Sequence, residues 1–249
     1  MKHTILIGLS SLGIIFNSCG QFILSPRSGA SGGNAYPFVP APDVAPSVRY
    51  QQVYGSSDFT APRGPFLITA IRFAGGTGSL GIDANLPNVR IDFSTSGRNP
   101  DGLSTVFAEN VGADNTVVYS GPLRFYDRGI LTFDIRIPLQ TPFRYDAEAG
   151  NLLMDVRNFQ TVPFSFTGPR FMVGSDVLGD TASSQWSRDV NSASATVVDT
   201  GGLLTMFEVT LVPEPATCFV LLLVFTLVRM HPEARRWLTG FRRPKGIRN

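Results

Sequence analysis

The strongest constraint on this chain is the repeated alternation of apolar and polar residues, with no helical period sustained over three turns. Val89, Ile91 and Phe93 interleave with Arg90, Asp92 and Ser94; Leu131, Phe133, Ile135 and Ile137 interleave with Thr132, Asp134 and Arg136. Leu152, Met154 and Val156 do so with Asp155 and Arg157. A period of two places one set on each face of a strand, so the apolar set is expected inward and the charged set in water. Further strands are expected at 48–54, 66–73, 116–119, 163–166, 170–173, 195–198 and 203–211. Turn-forming clusters separate them, among them Asn99-Pro100-Asp101-Gly102, Gly112-Ala113-Asp114-Asn115 and Asp127-Arg128-Gly129. About ten strands punctuated this way predict an all-β domain, an antiparallel β-sandwich that is jelly-roll-like.

What residues 48–212 lack is as informative. The histidines are His3 and His231, the lysines Lys2 and Lys245, the cysteines Cys19 and Cys218, all outside that stretch. Without His, Lys or Cys it cannot host a Ser-His-Asp triad, a Cys-His pair, a Schiff-base lysine or a P-loop lysine. Zinc sites built on His and Cys are excluded as well, and so is an internal disulfide. Charge is nearly balanced: residues 25–212 carry thirteen Arg against seventeen Asp and Glu. The basic excess lies in the tail, so it gives no reason to expect nucleic acid as a partner.

The two ends read as targeting segments. Lys2 and His3 precede an apolar run from 4 to 16 and then small residues Ser18, Cys19 and Gly20. That order describes a secretory signal peptide over 1–20, cut after Gly20, with a lipoprotein-type cut before Cys19 as the weaker fit. Residues 21–47, with five prolines and a Ser-Gly-Ala-Ser-Gly-Gly run, are expected to form a flexible spacer. Residues 48–212 form the expected domain, and 213–249 a membrane-directed tail.

In that tail Pro213, Glu214 and Pro215 run into thirteen uncharged residues, 216–228, followed by Arg229, Arg235 and Arg236. Prolines lack the N–H and disfavour helix before them, so a helix is expected to begin near Ala216. Thirteen residues give roughly 20 Å of helix against a bilayer core of about 30 Å, so a span needs its flanks or a thinned membrane. The arginines fix orientation by the positive-inside rule and leave the domain outside. This order of Pro-Glu-Pro, apolar run and arginines resembles the PEP-CTERM sorting signal of bacterial exported proteins. The resemblance implies that Pro213, Glu214 and Pro215 are recognised by exosortase, a membrane processing enzyme, in bacteria that make exopolysaccharide. A plain C-terminal anchor is the alternative. Arg49-Tyr50-Gln51-Gln52-Val53-Tyr54, Pro100-Asp101-Gly102-Leu103-Ser104, Gly112-Ala113-Asp114-Asn115-Thr116-Val117-Val118 and Ala149-Gly150-Asn151-Leu152-Leu153-Met154-Asp155-Val156 are similar to a recurrent body type among such proteins. That likeness brings no established activity.

Four motifs in the domain could carry chemistry. Gly76-Thr77-Gly78-Ser79-Leu80-Gly81 fits G-x-G-x-x-G, but a strand is expected after it rather than the helix a dinucleotide requires. Asx-rich turns at Asp83-Ala84-Asn85, Asn99-Pro100-Asp101 and Asp114-Asn115 offer oxygens to Ca²⁺, the one cofactor left open. Turn formation explains the same residues. Asp92, Asp134 and Asp155 could supply the carboxylate pair of a glycosidase, yet Arg90, Arg136 and Arg157 beside them suggest surface ion pairs. Trp186, with Tyr119, Tyr126 and Tyr145 in reserve, is the candidate platform for a glycan contact, or else a core residue. The expectation is therefore a non-enzymatic envelope or matrix protein, with a secreted carbohydrate-binding module as the alternative.

Overall fold

The computed structural model describes residues 20–27, 31–34, 36–38, 47–75, 82–127, 132–160, 171–173 and 178–212. Among them the chain is all-β, with two larger antiparallel sheets and no α-helix. A four-stranded sheet runs in the order β1 (Gln21–Ser25), β12 (Thr205–Leu211), β4 (Phe66–Phe73) and β7 (Ile135–Tyr145). A six-stranded sheet runs β11 (Val197–Asp199), β10 (Ala182–Ser187), β3 (Val48–Tyr54), β8 (Asn151–Asn158), β5 (Ile82–Ser96) and β6 (Thr116–Asp127). A short pair, β2 (Ser31–Asn34) with β9 (Phe171–Val173), stands apart.

Strands β3 and β4 occupy the bounds expected of them. Both sheets feed one hydrophobic cluster, which takes Tyr50, Tyr54, Ile91, Phe93 and Met154 from the larger sheet and Phe66, Ile68, Phe143, Tyr145 and Phe207 from the smaller. Aromatic edges meet ring faces across it: Tyr54 on Phe207 at 5.1 Å, Phe59 on Tyr145 at 5.0 Å, Phe93 on Phe143 at 5.8 Å. Such edge-to-face pairs satisfy the ring quadrupoles and add to the burial itself. Along one border the Gln140 side chain bonds both backbone groups of Ser120, tying β7 to β6.

A polar device sits inside the core. The Tyr50 hydroxyl donates to Gln52 Oε1 at 2.6 Å, the Leu203 amide donates to the same oxygen at 2.8 Å, and Gln52 Nε2 donates to the Leu203 carbonyl at 2.9 Å. A Cβ on Gly202 would stand 2.7 Å from Gln52 Nε2, so only glycine lets the backbone pass this close. Burial disfavours the phenolate most for Tyr50, Tyr54 and Tyr145, and it pushes all three well above the ordinary tyrosine value. Raised folded values stabilise the protein fully below about pH 10, and that contribution is lost as pH climbs toward them. Absorbance at 295 nm should therefore show these three silent near pH 10 in the native protein and ionised there in denaturant. Ordinary titration of all tyrosines in the folded protein would refute their burial.

Two expectations need correcting. Residues 21–47 do more than space: β1 completes the smaller sheet through β12, β2 pairs with β9, and Phe38 is fully buried. Ile23 and Phe38 supply the core contacts that a Pro- and Gly-rich average conceals. Ser25 and Thr181 hydroxyls both donate to buried Asp58 at 2.6 Å, locking β1 to the start of β10. The second correction concerns the faces. The alternation places Asp92 and Asp155 in water, yet each is only 4% exposed, because the segment from 97 to 115 folds over that face. The strand expected from Leu131 begins at Ile135 and runs on to Tyr145. The glycine motif at 76–81, the strand expected at 163–166, and Pro213, Glu214, Pro215, Arg229, Arg235 and Arg236 lie outside the described residues. Among the described residues no helix is long and apolar enough to cross a membrane.

Candidate functional site

The outer face of the six-stranded sheet carries two parallel rows of polar side chains. Register places Arg49 on β3 beside Arg157 on β8, and Arg157 beside Arg90 on β5. The next row holds Gln51, Asp155 and Asp92 on the same three strands. Neighbouring strands lie about 4.8 Å apart, so three guanidinium stems stand abreast with two carboxylates alongside. Like charges directly opposite on a sheet repel, and an arrangement of this kind persists only with compensation.

The carboxylates provide most of it. Asp92 accepts two bonds from Arg90, at 2.8 Å from Nε and 2.7 Å from Nη2. Asp155 accepts from Arg49 Nη2 at 2.8 Å and from Gln51 Nε2 at 2.9 Å. The bond to Asp92 holds Arg90 even more firmly in its charged form. Arg157 is treated differently. Its Nε lies 4.0 Å from Asp155 Oδ1, beyond hydrogen-bond reach, and is buried without a partner.

A lid of loop structure closes over part of this face. The 3₁₀ turn Phe107–Asn110 sets the Phe107 ring 4.4 Å from the Arg49 guanidinium carbon, a cation–π contact. Asn110 Nδ2 donates to Gln51 Oε1 at 2.9 Å, and Gln51 Nε2 also donates to the Phe107 carbonyl at 3.0 Å. Gly112 lies against β5, its amide on Ser94 Oγ; a Cβ there would fall 1.9 Å from the Thr95 carbonyl oxygen. What stays open is a shallow pocket of about 300 Å³, lined by Arg49, Arg90, Asp92, Asn115, Asp155 and Arg157 with Ala108 and Val111.

The residues singled out from sequence distribute as follows. Trp186 on β10 is half-buried, its ring stacked on Tyr36 at 5.3 Å and nearly parallel to Tyr50 at 6.5 Å. Tyr145 is fully buried and donates to the Gly150 carbonyl, and Tyr119 is buried with its hydroxyl on the Pro122 carbonyl, so neither gathers around the indole. The side chain of Tyr126 lies outside the described residues. The Asx turns are occupied by their own surroundings: Asp114 accepts from the Thr95 amide and hydroxyl, Asp101 from the Gly179 amide, and Asn115 donates to Asp92. Among the described residues no group of three or more His, Cys, Asp or Glu side chains could hold a metal ion.

The carboxylates expected as surface ion pairs separate into two cases. Asp92 and Asp155 are directly opposite one another in the buried row, with their oxygens committed to guanidinium donors. That is a charge network, not a free acid beside a free base. Asp134 instead accepts from Thr132, while Arg136 pairs with Glu208, which Arg72 also bridges. The hydrogen bond from Arg136, helped by that from Arg72, holds Glu208 below the usual carboxylate range. Sequence reasoning missed Arg49, whose strand is buried at every position and shows no alternation to single it out.

No protein-family model, no curated protein and no solved structure matches this chain.

Proposed function

We propose that this chain is an exported, non-enzymatic protein of the cell envelope or extracellular matrix, delivered by a C-terminal signal of the PEP-CTERM type. The observation that carries the reading is the order Pro213-Glu214-Pro215, uncharged residues 216–228, then Arg229, Arg235 and Arg236. Its partners would be the membrane and an exosortase-type enzyme. Two features of the body support it. Strand β1 begins at Gln21, one residue past the expected signal-peptide cut, and β12 ends at Leu211, two residues before the Pro-Glu-Pro turn. The compact body thus fills the interval between the two targeting segments, and we read its two sheets around one core as a jelly-roll-like β-sandwich. The absence of His, Lys and Cys from residues 48–212 argues for a structural or binding role over catalysis.

Mass spectrometry of the mature termini, on protein recovered from envelope and medium, tests this. A C-terminus between 213 and 216, with residues from Phe219 onward missing, is the expected result. An intact Asn249 in the membrane fraction would overturn processing and leave a plain anchor.

A second reading, a module that contacts extracellular polysaccharide, is favoured by the open pocket of Arg49, Arg90, Asp92, Asp155 and Arg157. Trp186, the aromatic platform that the sequence suggests for that contact, packs on Tyr36 and is not part of this lining.

A further inference from the structure

The three-arginine row has one member whose hydrogen-bonding capacity is unspent. Arg90 has its fork filled by Asp92, and Arg49 gives Nε and Nη2 to Asp155 and Nη1 to the Ser192 carbonyl at 3.3 Å. Arg157, between them, makes no hydrogen bond with any described residue. Its side chain is 33% exposed, against 11% for Arg49, so the guanidinium with open donors is also one that solvent reaches in the pocket. Three guanidinium charges against two carboxylates leave the pocket one positive charge in excess.

From this geometry we propose that the pocket is a monoanion subsite, and that Arg157 receives the carboxylate of an acidic saccharide such as a uronate. One excess positive charge matches a single carboxylate. A phosphate dianion would face Asp92 and Asp155 with more negative charge than the row can balance. A planar guanidinium presents paired N–H donors that fit a carboxylate edge to edge, which an ammonium cannot do. The pocket volume of about 300 Å³ is at the small end for ligand sites, in keeping with one sugar residue of a longer chain rather than an enclosed ligand. The ligand need not build the site either, since Asp155, Gln51, Asn110 and Phe107 already fix its walls. This assignment rests on the saccharide-contacting reading and is independent of export.

The test is calorimetric titration of the full chain in mild detergent, at low salt, with trigalacturonate and with its fully methyl-esterified form. Trigalacturonate should bind, weaken as salt is raised, and lose at least about tenfold in affinity with Arg157→Gln, the loss of a charge-assisted hydrogen bond. Arg157→Lys, which keeps the charge without the fork, should also bind more weakly than the native chain. Arg144→Gln, on the exposed face of β7, should change nothing. The ester comparison is made on the native protein and needs no variant to fold. Equal binding of acid and ester would overturn the charge assignment while leaving a saccharide site in place. No binding of either would sink both. Inorganic sulfate or phosphate binding in preference to the uronate would overturn the carboxylate, and unchanged affinity in a folded Arg157→Gln protein would overturn the residue.

Discussion

Asp155→Asn should lower the unfolding free energy by about 3–5 kcal/mol, the cost of removing one partner of a buried ion pair. The Arg49–Asp155 contact is 2.8 Å long, with side chains only 11% and 5% exposed, so solvent does little to screen the charge left behind. The same carboxylate accepts from Gln51, so the amide that replaces it turns a donor toward a donor. The row then holds three guanidinium groups against Asp92 alone. Urea unfolding with an unchanged slope would read the effect as a shift in midpoint. A loss below about 1 kcal/mol would place the pair among exposed salt bridges and contradict its burial. Replacing both members, Arg49→Met with Asp155→Leu, should cost far less than the single change, because no charge is stranded.

Gln52→Leu should be comparably damaging through hydrogen bonds alone. The substitution is close in volume and more apolar, which by burial alone would be neutral or favourable. It strands the Tyr50 hydroxyl and both backbone groups of Leu203, all without access to water. Each unsatisfied buried group costs about 1–3 kcal/mol, so a total on the order of 3–9 kcal/mol is expected. Gln52→Glu separates chemistry from shape: it keeps Oε1 but replaces the Nε2 donor with an acceptor oxygen facing the Leu203 carbonyl. It should destabilise as well, and more so above the carboxylate range. A Leu variant as stable as the native chain would mean that Leu203 finds other partners.

Where one strand face packs on the core and the other is polar, the sequence speaks clearly. Phe66–Phe73 alternates and is found as a strand with those bounds. The Ala182–Ser187 strand is silent, because Ala, Ser and Gln are small or polar on both faces. It is buried on both sides all the same, one by the core and the other beneath the covering loops. The same cause hides the candidate site. Arg90, Asp92, Asp155 and Arg157 read as a solvated face because nothing local distinguishes cover by water from cover by a distant loop. The clue is in the loop: Phe107, a large apolar residue in a turn-rich segment, is fully buried over Arg49. Register between β3, β8 and β5 then makes a row of residues far apart in sequence, which no single-strand pattern reveals. Residues 21–25 were hidden by a compositional average dominated by the glycines and prolines that follow.

The pairing of β1 with β12 sets an order of events during synthesis. Gln21 lies opposite Val209 and Ser25 opposite Thr205, so the first strand of the body has the last as its sole sheet neighbour among the described residues. A chain made from its N-terminus presents β1 first and must keep it waiting, with Ile23 bare, until some 180 further residues have followed. Closure of the smaller sheet is thereby tied to the emergence of β12. One side of β1 is paired by the last strand to arrive, and its other side remains the border of the sheet.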